Sequence, residues 1–159
     1  MKRSVSLSTY TIIISCIGLL ILAGLLIYEY IRGFQWQTYI LGAVILLLFI
    51  SALVYMPISL SVDDKALSVN RPLCHKSLPL AEIKSIKLCP PTMGARRICG
   101  SGGWFGYWGW FSERDLGKYF AYYGKASDCF LVTLKNGRKY MLGCKDPESI
   151  VDFVNQRIN

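Results

Sequence analysis

Residues 100–111 read GSGGWFGYWGWF, and this stretch gives the strongest indication of how the chain folds. Five of its twelve positions are glycine and six are aromatic. Each glycine costs a helix about 1 kcal/mol relative to alanine, so an extended or looped hairpin is favoured over a helix. Glycine lets two backbones turn or approach closely, and each aromatic side chain brings about 150–250 Å² of surface that has to be covered.

Three destinations are open for this aromatic surface. It folds back over the core of its own domain, or it lies against lipid headgroups, or it forms a docking surface for a partner protein or a second copy of the chain. Two arginines come just before the stretch and would meet anionic lipid in the second case. The candidate contact residues are Arg96, Arg97, Trp104, Phe105, Tyr107, Trp108, Trp110 and Phe111.

Two apolar runs precede this region, at residues 11–28 (TIIISCIGLLILAGLLIY) and 39–56 (YILGAVILLLFISALVYM), and neither contains a charged residue. As a helix, each run is about 27 Å long, close to the roughly 30 Å thickness of the bilayer hydrocarbon. The ten residues between them allow only a tight turn. The runs therefore predict a transmembrane helical hairpin over residues 1–56. A cleaved signal peptide is the alternative for the first run, although a second spanning run follows it at once.

The distribution of basic residues predicts the orientation of this hairpin. Lys2 and Arg3 precede the first run, and only Arg32 lies in the turn. Further basic residues follow the second run, namely Lys65, Arg71 and Lys76. The positive-inside rule then places both termini in the cytoplasm, with an inverted hairpin as the alternative.

Residues 57–159 have the pattern of a mainly-β domain. Apolar and polar residues alternate on both sides of Asp63-Asp64-Lys65, which predicts a β-hairpin. A second hairpin is predicted over 128–144 (DCFLVTLKNGRKYMLGC), where Asn-Gly supplies the positive φ angles of a tight turn. Pro147 follows an Asp and opens an amphipathic C-terminal helix. The prediction is a run of antiparallel strands closed by one helix.

The glycine and aromatic stretch, together with LGKYFAYYGK at 116–125 and KDPESIVDFV at 145–154, resembles the bacterial PH-domain (pleckstrin-homology-like) membrane proteins. In these proteins a helical hairpin precedes a PH-like domain. The resemblance covers most of residues 57–159 and implies a PH-like antiparallel barrel capped by a C-terminal helix, in the bacterial inner membrane. Phosphoinositide binding is not carried over, because the turn that would supply the phosphate-binding bases reads Asp63-Asp64-Lys65.

The sequence offers no pattern that supports catalysis. His75 is the single histidine, and the glycines fit neither spacing of a phosphate-binding loop. The five cysteines of the domain are odd in number and lack a C-x-x-C pair, which favours reduced structural thiols over disulfides or a metal site. The bases are too scattered for nucleic acid. We therefore expect no cofactor, metal, nucleic acid or small-molecule substrate.

The functional prediction is a non-catalytic, membrane-anchored binding or scaffolding module. It would present the glycine and aromatic stretch to the membrane surface, to a protein partner or to a second copy. The alternative is an accessory or regulatory subunit of a membrane enzyme or transporter.

Overall fold

A computed structural model describes residues 1–33 and 35–158 of the chain. Two long helices, α1 at Thr9–Arg32 and α2 at Trp36–Tyr55, confirm the predicted helical hairpin. Both are long and apolar enough to cross a membrane, and many of their apolar side chains are exposed. Residue 34 of the predicted turn and residue 159 of the predicted domain lie outside the described residues.

Both helices extend further toward their connection than the apolar runs predicted. α1 begins after Ser8, whose hydroxyl accepts a hydrogen bond from the Thr11 N–H at 3.1 Å. It ends at Arg32, and the next residue, Gly33, has a φ of +83°, which glycine adopts without strain. α2 ends at Tyr55, one residue before the predicted bound, because the residue that precedes Pro57 is disfavoured in a helical conformation.

A short strand that the sequence did not predict precedes α1. This strand, β1, spans Lys2–Ser4 and pairs antiparallel with β2, Ser59–Val62, which follows α2. The Arg3 guanidinium also forms an ion pair of 2.8 Å with Asp146. Three residues without apolar alternation carry no strand pattern, so sequence reasoning had no signal for β1. The chain before α1 and the domain after α2 therefore meet at the same end of the helical hairpin.

The first sheet has the order β1-β2-β3-β4, with every neighbouring pair antiparallel. The predicted turn at 63–65 joins β2 to β3 and confirms the first hairpin. The Asp63 carboxylate accepts hydrogen bonds from the N–H groups of Lys65 and Ala66, which lower its pKa. We call this turn the far end of the domain, because β2 runs from the helices toward it. The last two strands are β3, Ala66–Asn70, and β4, His75–Pro79.

The second sheet has the order β5-β9-β10-β8-β7-β6, which leaves β6 at an edge. Its neighbouring strands are antiparallel except for the parallel pair of β8 and β10. The predicted 128–144 hairpin is confirmed, with Gly137 at a φ of +82° in its turn. The strands are β5, Ile83–Leu88; β6, Arg96–Gly103; β7, Gly106–Glu113; β8, Gly117–Tyr123; β9, Cys129–Leu134; and β10, Lys139–Gly143.

The main core lies between the two sheets and the predicted C-terminal helix, α3, Pro147–Ile158. From the helix, Ile150, Val151 and Val154 enter this core. A second cluster of aromatic and apolar side chains covers the opposite face of the second sheet. The predicted mainly-β, PH-like fold with a C-terminal helix is therefore confirmed. Within the described residues the two sheets do not close into one barrel.

Candidate membrane and partner interface

The glycine and aromatic stretch forms a β-hairpin, β6 with β7, which we call the aromatic hairpin. Gly100 and Gly109 lie directly opposite each other in it, at φ angles of +124° and +117°. A Cβ atom on either glycine would lie 2.2 Å from a backbone carbonyl oxygen of the opposite strand. Only glycine fits at this pair, because a side chain would be strained by the φ angle and would also overlap the opposite backbone.

The tip of the aromatic hairpin is seated on helix α1. The Ser15 hydroxyl accepts a hydrogen bond of 2.9 Å from the Phe105 N–H and lies 3.3 Å from the Gly103 carbonyl oxygen. The Trp104 ring lies against Gly18, where a Cβ atom would be 2.3 Å from the ring. Gly18 is about 14 Å along α1 from Thr9, at about 1.5 Å per residue. The tip therefore reaches well along a helix that has the length and composition of a membrane span.

Trp104 also contacts the second helix of the hairpin. Its ring meets Phe49 of α2 edge to face, with centroids 6.4 Å apart. Next to it lies a wholly apolar groove whose remaining lining comes from the two helices, Gly18, Ile21, Leu22 and Leu48. The indole Nε1 of Trp104 is buried and has no hydrogen-bond partner in the part of the chain that the structure describes. The Trp104 side chain is therefore held in this position by the apolar contacts of its ring.

Two of the predicted contact residues lie inside the domain. Trp108 is only 8% exposed, belongs to the main core and stacks on Tyr55 of α2 at a centroid distance of 5.2 Å. Phe111 is buried in the second cluster and stacks on Tyr119. These two rings therefore hold the aromatic hairpin onto the domain and onto the end of α2.

The remaining two aromatic residues lie nearer the surface. Trp110 is 44% exposed and packs edge to face on Phe120 at 5.2 Å. Tyr107 is half-buried and stacks on Tyr123 at 4.8 Å. Burial raises the pKa of the Tyr107 hydroxyl, and electrostatic repulsion from the ionisable hydroxyl of Tyr10 adds to the rise. Trp110 thus keeps the most exposed aromatic surface on the strands of the aromatic hairpin.

The two arginines of the predicted contact set have different surroundings in the structure. Arg97 is exposed, and its guanidinium extends along β6 toward the tip, where Nη1 lies 3.2 Å from the site a Cβ would occupy on Gly102. Arg96 instead lines a cavity near Gly94 and Arg114, at the start of the strand. A strand of this length spans about 23 Å, so only Arg97 directs its charge toward the helices.

The base of the aromatic hairpin contains a buried carboxylate that sequence reasoning missed. Glu113, the last residue of β7, is 5% exposed. It accepts hydrogen bonds from the Tyr119 hydroxyl, the Thr92 hydroxyl and the Thr92 N–H. Burial is the main cause that strongly raises the pKa of the Tyr119 hydroxyl, and the hydrogen bond from this hydroxyl to Glu113 is the second. The network ties the hairpin to the 89–95 connection, and an isolated Glu at the end of a strand gives no signal of it.

A cluster of rings and charge at the end of α2 was also not foreseen. The Arg71 guanidinium lies over the rings of Tyr55 and Tyr122, at 5.9 and 5.5 Å from their centroids. Aromatic residues at the end of a predicted span were the available signal for Tyr55. Its proximity to Arg71 depends on the return of β3 to the helices, which the predicted hairpin implies, and on the direction of the Arg71 side chain, which the sequence pattern does not give.

A second basic region lies at the far end of the domain. An open cleft of about 810 Å³ is lined there by apolar residues and by Lys65, Lys84, Lys135 and Arg157. The Arg157 guanidinium is paired with Asp64 at 2.8 Å. Among residues 1–33 and 35–158, no group of three His, Cys, Asp or Glu side chains is placed to hold a metal ion.

Two long apolar helices followed by two β-sheets and a C-terminal helix define a PH-like domain preceded by a helical hairpin. A family model for the bacterial PH domain matches residues 58–158, more than half of the chain, and the protein belongs to this family. The resemblance seen in the sequence is thereby confirmed. Comparisons with curated proteins and with solved structures gave no match. PH domains are generally non-catalytic binding modules.

Proposed function

We propose that this protein is a non-catalytic binding or scaffolding module of the bacterial inner membrane, held flat against the bilayer by its aromatic hairpin. The observation that carries the proposal is the seat of Phe105 and Trp104 on Ser15 and Gly18 of α1. A tip that reaches this far along a spanning helix lies below the headgroups. The domain, residues 57–159 with β1 added from the N-terminal segment, then has a fixed orientation to the membrane.

The chemistry of the tip supports this depth. Trp104 and Phe105 provide aromatic rings, while Ser101 pairs with the backbone N–H and carbonyl of Trp104 and Ser15 pairs with the backbone N–H of Phe105. A turn whose backbone groups are paired internally costs little to place in hydrocarbon. Trp110, further along the returning strand, and the guanidinium of Arg97 then lie near the headgroup level, where tryptophan and arginine are favoured.

Fluorescence quenching by brominated lipids tests the proposed depth. One variant retains Trp104 alone, with Trp36, Trp108 and Trp110 changed to Phe, and a matched variant retains Trp110 alone. In vesicles with bromine at mid-chain, we expect strong quenching of Trp104 and weak quenching of Trp110. Circular dichroism checks that both variants keep the wild-type fold. Absence of quenching at Trp104 in a folded variant would contradict the proposal.

We also propose that both termini face the cytoplasm, on the support of the basic residues that flank the helices. Cys74 and Cys99 are exposed on the domain and serve as native reporters. A membrane-impermeant maleimide should leave both unlabelled in intact cells and label them after permeabilisation. Labelling of either residue in intact cells would indicate the inverted hairpin.

A second candidate function, an accessory or regulatory subunit of a membrane enzyme or transporter, is favoured by the free edge of β6. Within the described part of the chain this strand pairs only with β7, and its Ile98 is 54% exposed. An exposed edge is suited to pairing with a strand of another protein. Oxidative cross-linking through native Cys99 on the same strand tests whether this edge meets a second copy or a different chain.

A further inference from the structure

The turn between β3 and β4 lies on the domain end of helix α2. Its backbone is closed by a hydrogen bond of 2.9 Å from the Arg71 N–H to the Cys74 carbonyl. The Cys74 thiol donates to the Val54 carbonyl at 3.6 Å, and the Arg71 guanidinium lies over Tyr55, the last residue of α2. If α2 spans the bilayer, Arg71 is therefore at the level of the lipid headgroups.

The charge of Arg71 has no acidic partner among the residues that the structure describes. None of the ion pairs among residues 1–33 and 35–158 includes it. Its Nε is buried and has no hydrogen-bond partner among the described residues, and Nη1 makes one long bond of 3.4 Å to the Tyr122 hydroxyl. A guanidinium offers five N–H donors, and leaving a buried donor unpaired costs about 1–3 kcal/mol. Most of its donor capacity is thus left for a ligand.

The surroundings of Arg71 indicate what that ligand is. The rings of Tyr55 and Tyr122 hold the guanidinium in an apolar setting, where its fork of donors matches the oxygens of a phosphate. Leu73, two residues further in the same turn, is 66% exposed and precedes Cys74, which contacts the end of α2. An exposed apolar side chain next to an unpaired guanidinium suits a molecule that has both a phosphate and an acyl chain.

We propose that Arg71 binds the phosphate of an anionic phospholipid in the leaflet that faces the domain, with the acyl chains alongside Leu73 and α2. The site lies at the opposite end of the first sheet from the Asp63-Asp64-Lys65 turn. It rests on the proposed function, since it requires that α2 spans the membrane and the domain lies against it. Because no carboxylate of residues 1–33 and 35–158 forms an ion pair with Arg71, an anionic headgroup is favoured over one that carries an amine.

Native mass spectrometry of the full chain in detergent tests this site with phosphatidylglycerol as the probe. We expect wild type to bind one phosphatidylglycerol more tightly than phosphatidylcholine. Arg71→Gln should weaken the binding by about fivefold or more, since one basic residue near an anionic surface contributes about 1 kcal/mol. The matched control is Arg138→Gln, an exposed arginine next to the β9–β10 turn, which should bind as wild type does.

Several results would overturn the proposal. Phosphatidylglycerol binding that is unchanged in Arg71→Gln would contradict it, and so would an equal loss of binding in Arg138→Gln. Displacement of the lipid by inorganic phosphate at equal concentration would also contradict it, because it would indicate a site for free phosphate. If Arg71→Gln fails to fold, the proposal is tested with Arg71→Lys and with the preference of wild type for phosphatidylglycerol over phosphatidylcholine. Arg71→Lys should bind more weakly than wild type because the fork is lost, and equal binding of the two lipids by wild type would also contradict the site.

The depth of Trp104 separates this inference from the proposed function. If Trp104 is quenched at mid-chain and Arg71→Gln binds lipid normally, only the phosphate site is wrong. If Trp104 is not quenched, the domain does not lie against the bilayer, and both proposals fail.

Discussion

The aromatic hairpin and the β9–β10 hairpin show how one local motif reaches two different destinations. In the β9–β10 hairpin the positive-φ glycine is in the turn, at Gly137, and the tip residues 135–138 are exposed. In the aromatic hairpin a glycine pair lies within the strands, and the tip is packed on α1. Turn chemistry determines that the chain reverses. The glycines within the strands and the side chains of the tip determine where the hairpin goes.

The largest effect is expected when alanine replaces a glycine in each hairpin. Gly109→Ala places a Cβ 2.2 Å from the Cys99 carbonyl oxygen at a φ of +117°. Strain and overlap together should cost more than about 3 kcal/mol. Gly137→Ala has the same kind of strained φ angle but open space around it, so we expect a loss of about 1 kcal/mol. The unfolding transitions of the purified full chain measure both.

A further control is Gly94→Ala, where the nearest atom to a Cβ is the Thr92 Oγ1 at 3.5 Å, an ordinary contact. The unfolding transition of this variant should coincide with that of wild type. Equal losses for Gly109→Ala and Gly137→Ala would mean that the glycine pair is not what shapes the aromatic hairpin.

The next largest effect is expected at the base of the aromatic hairpin. Glu113→Ala removes a buried carboxylate and leaves the Tyr119 hydroxyl and the Thr92 N–H without their partner. Tyr119 is fully buried, and an unpaired buried group costs about 1–3 kcal/mol, so we expect a loss of about 2 kcal/mol. Glu148→Ala, an exposed position in the first turn of α3, should cost about 0.5 kcal/mol or less. Chemical unfolding of both variants in the same detergent tests this, and equal stability would contradict the structural role of the network.

Some of these features could be predicted from the sequence, and others could not. The β9–β10 hairpin follows from alternation and Asn136-Gly137, and the helical hairpin follows from two uncharged runs, because both signals are local. The seat of Trp104 on Gly18, the burial of Glu113 and the place of Arg71 beside Tyr55 depend on residues far apart in the chain. β1 has too few residues to carry a pattern. The predicted contact set stays a prediction, and the structure adds which of its rings are buried, such as Trp108 and Phe111, and which is exposed, Trp110.

A smaller effect is expected where the aromatic hairpin meets α1. Gly18→Ala places a Cβ 2.3 Å from the Trp104 ring, which has to shift, while Gly24→Ala in the same helix has no atom within 4 Å. We expect Gly18→Ala to lower stability by about 1 kcal/mol, since overpacking that a side chain relieves by moving lies at the low end of its range. In the background that retains Trp104 alone, its emission should shift in wavelength. Gly24→Ala should leave the emission unchanged, and a shift of equal size in both variants would contradict a specific seat.

The smallest effect at neutral pH concerns the thiols of the two hairpins. Burial raises the pKa of Cys144, beside the end of β10, to about 12, and it also raises the pKa of Cys129 at the start of β9. At pH 7 a maleimide should label exposed Cys99 of the aromatic hairpin and spare both buried thiols in the folded chain. Because the folded state holds the Cys144 proton more tightly than the unfolded state, its contribution to stability is complete below the ordinary pKa of 9.0 and is lost as the pH rises toward about 12. Cys144→Ala should therefore reduce the slope of unfolding free energy against pH in this window, and an unchanged slope would mean that this thiol ionises as freely in the folded chain as in the unfolded one.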